Sequence, residues 1–98
     1  MWILQSVEPE AEPVTFRIRS GSIKTVGRAP RADFVLDAPL VSRLHCQLTA
    51  MDDALQVEDL KSTNGTFVND KRIERASLSN GDRLRVGRVE MTVAQATS

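Results

Sequence analysis

Apolar and polar residues alternate along most of this chain, and helical periodicity is hard to find in it. In a strand, successive side chains point to opposite faces, so alternation marks a strand with one face on a core and the other in water. Five segments show this pattern, and four shorter apolar runs add candidate strands. The alternating segments are 14–19, 44–50, 55–58, 83–86 and 89–93, and the shorter runs are 2–4, 23–26, 34–36 and 67–68.

Turn-forming residues separate these segments. Three dipeptides have hairpin-type chemistry, the third more weakly than the others: Ser20-Gly21, Asn80-Gly81 and Asn69-Asp70. Short strands at intervals of roughly 8 to 12 residues are typical of an all-β sandwich or barrel. The chain has 98 residues, so we expect one domain over 1–98, with 94–98 as a flexible tail.

Charge and cysteine content limit the classes of partner. Thirteen Lys and Arg residues balance thirteen Asp and Glu residues, which disfavours binding to nucleic acid or to an anionic membrane through a global field. A single cysteine forms no internal disulfide, and no apolar run approaches the ~20 residues of a membrane span. We therefore expect a cytoplasmic domain with no nucleic-acid and no membrane partner.

Three segments are rich in groups that bind anions: 26–28, 40–45 and 59–69. Arginine presents a planar fork of donors that matches phosphate oxygens, and hydroxyls and loop amides can fill the remaining acceptor sites. One guanidinium and two hydroxyls that converge would make a site for a single phosphate.

The same segments carry a family resemblance. Taken in order with a fourth motif, they resemble the forkhead-associated (FHA) domain over essentially the whole chain. The motifs are Gly27-Arg28, Ser42-Arg43-Leu44-His45, Ser62-Thr63-Asn64-Gly65-Thr66-Phe67-Val68-Asn69 and Leu78-Ser79-Asn80-Gly81-Asp82. The resemblance implies an FHA-like β-sandwich of about eleven mainly antiparallel strands. It also implies that loops at one end bind peptides whose threonine has been phosphorylated by a Ser/Thr kinase.

The resemblance further implies roles for individual residues. Those that match the phosphothreonine ligands are Arg28, Ser42, Arg43 and Thr63, and Asn64 matches the residue that holds the peptide main chain. Gly27, His45 and Gly65 match positions that support the loops. The chain departs from the family in having Asp70 where glycine is common after Asn69, and in having an apolar Leu40 near a position that helps to select the peptide in some members.

Each site residue also has an ordinary structural interpretation. Arg28 and Arg43 could be solvated or ion-paired surface residues, and Ser42, Thr63 and Asn64 could simply form turns.

Neither histidine nor cysteine indicates catalysis. His45 has no second histidine or neighbouring cysteine at ligand spacing, and Cys46 alternates in phase with Leu48 as a core residue does. We therefore predict no enzyme activity, no metal and no cofactor. The favoured function is a phosphothreonine-dependent signalling adaptor. The alternative is a scaffolding β-sandwich that binds its partner independently of phosphate.

Overall fold

The computed structural model describes residues 1–7 and 14–96, and these form eleven β-strands. The strands in chain order are β1 (Trp2–Ser6), β2 (Thr15–Ile18), β3 (Ile23–Gly27), β4 (Phe34–Val35), β5 (Cys46–Ala50), β6 (Leu55–Asp59), β7 (Thr66–Val68), β8 (Lys71–Ile73), β9 (Arg75–Leu78), β10 (Arg83–Val86) and β11 (Val89–Gln95). No helix in the described part of the chain is long and apolar enough to cross a membrane.

The strands form two sheets. The six-stranded sheet has the order β2-β1-β11-β10-β7-β8, and the five-stranded sheet has the order β4-β3-β5-β6-β9. Every pairing is antiparallel except that of β3 with β4, which is parallel. The predicted all-β sandwich is therefore confirmed.

Alternate residues of both sheets form one core between them. In β5, for example, Cys46, Leu48 and Ala50 are buried while the intervening residues are half-buried. The rings of Phe16 and Phe34 stack between the sheets with their centroids 4.5 Å apart. These contacts confirm the packing roles that strand phase predicts for the core residues.

The turns differ from the sequence-based expectation. Turns at Ser20-Gly21 and Asn80-Gly81 join strands of different sheets, so the predicted hairpins are wrong there. The weaker signal marks a true hairpin, because Asn69 (φ 50°) and Asp70 (φ 69°) connect the paired strands β7 and β8. Positive φ at both central residues is what a type I′ turn requires. Asp70 in place of glycine thus leaves this turn intact.

The carboxyl-terminal stretch also differs. Residues 94–98 were expected to be a flexible tail, but Ala94 and Gln95 belong to β11 and pair with Ile3 and Trp2 of β1. The backbone N–H of Ala96 donates to the carbonyl of Met1 at 2.8 Å. Pairing with the first strand therefore fixes this stretch through residue 96, and residues 97–98 lie outside the described residues.

Candidate functional site

The three predicted anion-binding segments meet at one end of the five-stranded sheet. Because β5 is antiparallel to both β3 and β6, its first residue lies beside the last residues of its neighbours. The N–H of His45 donates to the carbonyl of Val26 at 2.8 Å, and the N–H of Leu60 donates to the carbonyl of His45 at 2.9 Å. The loops that follow β3, precede β5 and follow β6 therefore start from adjacent strand ends.

Ser42 lies where these loops touch. Its carbonyl accepts a hydrogen bond from the N–H of Arg28 at 3.0 Å. Its Oγ accepts one from the N–H of Thr63 at 3.1 Å. A hydroxyl has one donor and two acceptor positions, so the hydroxyl proton of Ser42 stays available for a ligand. The structure thus brings Arg28, Ser42 and Thr63 into one cluster.

His45 links two of the loops from below. Its Nδ1 accepts from the N–H of Ser42 at 3.0 Å, and its Nε2 lies 2.8 Å from the carbonyl oxygen of Gly65. A carbonyl only accepts, so Nε2 carries the proton and donates it to Gly65, while Nδ1 is unprotonated. The ring is fully buried. Both of its nitrogens are therefore committed to backbone groups of the loops.

Asp59 completes this network, and the sequence-based prediction missed it. Its carboxylate accepts from Ser62 Oγ at 2.5 Å, from the Ser62 N–H at 3.2 Å and from Thr66 Oγ1 at 2.7 Å. Ser62 Oγ in turn accepts from the N–H of Gly65 at 2.9 Å. The signal that could have found this residue is the Asp-x-x-Ser spacing, since aspartate commonly accepts from backbone groups of a following turn.

These hydrogen bonds hold Asp59 ionised. Burial raises the pKa of this carboxyl group, but the bonds from Ser62 and Thr66 together outweigh burial and lower the pKa below its usual value. The bonds from Asp59 through Ser62, Gly65 and His45 to Ser42 form one continuous chain under the cluster. The loop positions therefore depend on buried contacts as well as on turn residues.

Two glycines allow the loops to approach closely. A Cβ built on Gly27 would lie 2.1 Å from the carbonyl oxygen of Arg43, so only glycine fits without moving the backbone. Gly65 has φ +90°, and a Cβ there would lie 2.8 Å from Nε of Arg72. A larger residue at Gly27 would displace the loop that carries Arg43, and one at Gly65 would strain the backbone and move the Arg72 side chain.

The remaining predicted residues present free groups on the rim. Arg28, Arg43, Thr63 and Asn64 are exposed. Among residues 1–7 and 14–96, neither arginine has a carboxylate within 4.0 Å. Asn64 Nδ2 donates to the carbonyl of Leu40 at 3.1 Å, which leaves its side-chain oxygen free. The cluster thus offers two unpaired guanidinium groups beside hydroxyl and amide groups.

Cys46 lies under the cluster but takes no part in it. Its thiol is fully buried. Burial, with a smaller contribution from the charge of Asp59, raises its pKa to about 12. A thiol of this kind stays protonated and is a weak nucleophile, as expected for a core residue.

Known proteins resemble the chain in sequence. The FHA domain family matches residues 24–87. The glycogen accumulation regulator GarA of Mycobacterium tuberculosis is 36% identical over 70 residues, which are 71% of this chain and 43% of that protein. The chain spans less than half the length of such curated relatives.

Solved structures resemble it in fold. The FHA domain of the CT664 protein from Chlamydia trachomatis superposes with a TM-score of 0.90 at 26% identity and covers 98% of each chain. A domain from a study of phosphothreonine-dependent FHA domain interactions gives a TM-score of 0.84 at 30% identity, over 99% of this chain and 98% of that one. The family match covers the strands and loops that form the cluster, and this chain belongs to the FHA domain family.

Proposed function

We propose that this chain is a binding module that recognises phosphothreonine in a partner protein phosphorylated by a Ser/Thr kinase. The observation that carries the proposal is the meeting of Arg28, Ser42 and Thr63, joined by hydrogen bonds of 3.0 Å and 3.1 Å through Ser42. One similar solved domain comes from work on phosphothreonine-dependent interactions, which supports the same ligand.

The phosphate would be bound by four side chains. The guanidinium groups of Arg28 and Arg43 donate to its oxygens, and the hydroxyls of Ser42 and Thr63 donate to those that remain. Hydrogen bonds to charged groups contribute about 1.5–3 kcal/mol each. A micromolar dissociation constant corresponds to about 8 kcal/mol. Two or three such bonds with a few main-chain contacts are therefore sufficient.

The peptide main chain would lie beside Asn64. The bond from its Nδ2 to Leu40 orients the amide, and the free side-chain oxygen can accept from a peptide N–H. Gly27, His45 and Gly65 would act indirectly, since their contacts hold the loops in place.

Catalysis is not part of the proposed function. Both nitrogens of His45 are committed to backbone groups, and the thiol of Cys46 is buried. Neither is available as a base or a nucleophile for a bound peptide. We also propose a cytoplasmic location, because the one cysteine is a free, buried thiol.

Titration of phosphothreonine peptides by calorimetry tests the proposal. We expect saturable binding that disappears when the peptide is dephosphorylated. Arg28→Ala and Ser42→Ala should each weaken binding by at least about tenfold, since each removes a donor to the charged phosphate. Arg19→Ala is the matched control, because Arg19 is an exposed arginine before β3, whereas Arg28 follows the opposite end of that strand.

Two results would contradict the proposal. Equal affinity for phosphorylated and dephosphorylated peptide would favour the alternative of a scaffold that ignores phosphate. Parent-like affinity in both folded variants would show that the phosphate binds elsewhere.

A further inference from the structure

On the outer face of the six-stranded sheet, one aromatic ring has an arginine on each side. Phe67 of β7 lies opposite Arg72 of β8 on one side and opposite Arg85 of β10 on the other. Neighbouring strands lie about 4.8 Å apart, so both long side chains can reach the ring between them. We call these three residues the arginine strip.

Arg85 has donors that the fold does not use. Its guanidinium carbon lies 4.3 Å from the centroid of the Phe67 ring, in a cation–π contact. Its Nε is shielded from solvent without a hydrogen-bond partner, and it is the only such side-chain nitrogen or oxygen in the described parts of the chain. Because the fold covers Nε, an acidic ligand from solvent would meet the terminal Nη groups of Arg85 instead.

No carboxylate of the described residues forms an ion pair with either arginine of the strip. Glu90 lies opposite Arg85 in the sheet register, but its Oε1 is 3.9 Å from Arg83 Nη1. Asp70 likewise lies 3.9 Å from the guanidinium of Arg83. Within residues 1–7 and 14–96, neither Arg72 nor Arg85 has an acidic oxygen within 4.0 Å. Among the described residues, the two guanidinium groups of the strip are therefore not engaged in an ion pair.

The strip is continuous with the candidate phosphate cluster. Phe67 follows Gly65 by two residues. The side chain of Arg72 lies against Gly65, because a Cβ built there would meet its Nε at 2.8 Å. Thr63 and Asn64 immediately precede that glycine. A peptide held at these two residues thus has the strip within a few residues of its phosphothreonine.

We propose that the arginine strip is a second anion subsite that binds acidic side chains of the same phosphorylated peptide. This inference rests on the proposed function. Guanidinium groups pair with carboxylates through two parallel hydrogen bonds, and Arg85 can direct unused donors to one. Phe67 follows Asn64 by three residues, which span at most about 11 Å of chain. An extended peptide covers that length in three to four residues, so we place the acidic side chains within about five residues of the phosphothreonine. Glu90, which lies opposite Arg85, and the exposed Glu74, which follows β8, are acidic residues near the strip that limit this attraction.

Matched peptides test the subsite. One phosphothreonine peptide carries glutamate at the flanking positions, and its partner carries glutamine at the same positions. Partly exposed charge pairs contribute up to about 1 kcal/mol, so we expect the glutamate peptide to bind about fivefold more tightly, less so at high salt. Arg72→Gln combined with Arg85→Gln should remove this preference and leave the affinity for the glutamine peptide unchanged.

Two controls keep the test specific. Arg17→Gln changes an exposed arginine on β2, at the opposite edge of the same sheet, and should preserve the preference. Arg72→Gln alone, on the exposed edge strand β8, should reduce the preference even if changing Arg85 prevents folding.

The outcomes separate the two proposals. In one outcome, the parent binds both peptides equally and Arg28→Ala loses the binding of both. That result would refute the subsite and leave the proposal of phosphothreonine binding intact. A glutamate preference that survives in the folded double variant would also overturn the subsite. Binding that persists without phosphate would refute the proposed function, and the subsite with it.

Discussion

Replacing Asp59 by asparagine should destabilise the fold and loosen the loop that carries Thr63. The carboxylate of Asp59 accepts three hydrogen bonds, two from Ser62 and one from Thr66, at 2.5–3.2 Å. Asparagine has the same size, but an NH₂ group replaces one of the two oxygens. The NH₂ group is itself a donor, so at least one of the three donors from Ser62 and Thr66 loses its acceptor.

The expected loss follows from these contacts. A hydrogen bond to a charged group contributes about 1.5–3 kcal/mol, and a buried donor left unpaired costs a further 1–3 kcal/mol. Ser62 and Thr66 are both buried, so water replaces the lost acceptor poorly whichever way the asparagine amide is oriented. We therefore expect Asp59→Asn to lower the free energy of unfolding by about 3 kcal/mol at pH 7. For a domain of this size, that corresponds to a fall in Tm of roughly 10–20 °C.

The loss should depend on pH. The pKa of Asp59 is lowered in the folded state from 3.8, because hydrogen bonds from Ser62 and Thr66 outweigh the effect of burial. A lowered folded pKa contributes stability that is fully present above the unfolded pKa and is lost as pH falls through the folded pKa. The gap between the parent and Asp59→Asn should thus be constant from about pH 5 to 7 and close in more acidic solution.

Urea denaturation across this pH range measures the gap directly. Glu58→Gln is the matched control, because Glu58 precedes Asp59 and pairs at 2.6 Å with Arg75. The two side chains are 44% and 70% exposed, so solvent screens the pair and its loss should change stability little. Equal stability of Asp59→Asn and the parent at pH 7, or a gap unchanged in acid, would refute the role of the ionised carboxylate.

Two further predictions concern buried positions near the site. Gly27→Ala should lower the free energy of unfolding by about 3 kcal/mol or more, since its Cβ would meet the backbone of Arg43 and Leu44 at 2.1–2.9 Å. Gly21→Ala is the control, because a Cβ at Gly21 would meet no atom within 4 Å. This variant should cost only the strain of the positive φ, about 1 kcal/mol. Equal urea midpoints for Gly27→Ala and Gly21→Ala would contradict this contrast. Burial raises the pKa of the Cys46 thiol to about 12, so iodoacetamide at pH 8 should leave it unmodified until urea unfolds the domain. Rapid alkylation of the native protein would show that the thiol is accessible.

The interior strands could be predicted from sequence, and two edge strands could not. Nine strands, including the edge strands β2 and β4, carry alternating or continuous apolar runs because each turns apolar side chains toward the core. The strands β8 and β9 each lie at the edge of a sheet and contain three and four residues. Edge strands bury less apolar surface than interior strands and tolerate charged side chains. The segment 71–78 therefore has too few apolar residues for alternation to stand out.

Turn chemistry predicted backbone conformation but not strand partners. Gly21 and Gly81 do adopt positive φ, at 90° and 94°. Yet each turn sends the chain to the other sheet. A turn pair specifies two residues of local geometry, whereas the choice of sheet depends on which face of the next strand is apolar and where the core lies. Local signals therefore could not distinguish a hairpin from a crossing between sheets.

The same limit explains why the rim residues and the supporting residue His45 could be named from sequence while Asp59 could not. The FHA resemblance names Ser42 and Thr63 as the proposed phosphate ligands by motif, because both lie in short segments that match the family in order along the chain. Asp59 belongs to none of the quoted motifs and supports the rim only through its side-chain bonds to Ser62 and Thr66. Because the chain of bonds from Asp59 to Ser42 is also part of the fold, a change at its buried end should reduce both stability and affinity. Removal of a rim donor such as Arg28 should reduce affinity alone, and this difference separates support residues from ligands.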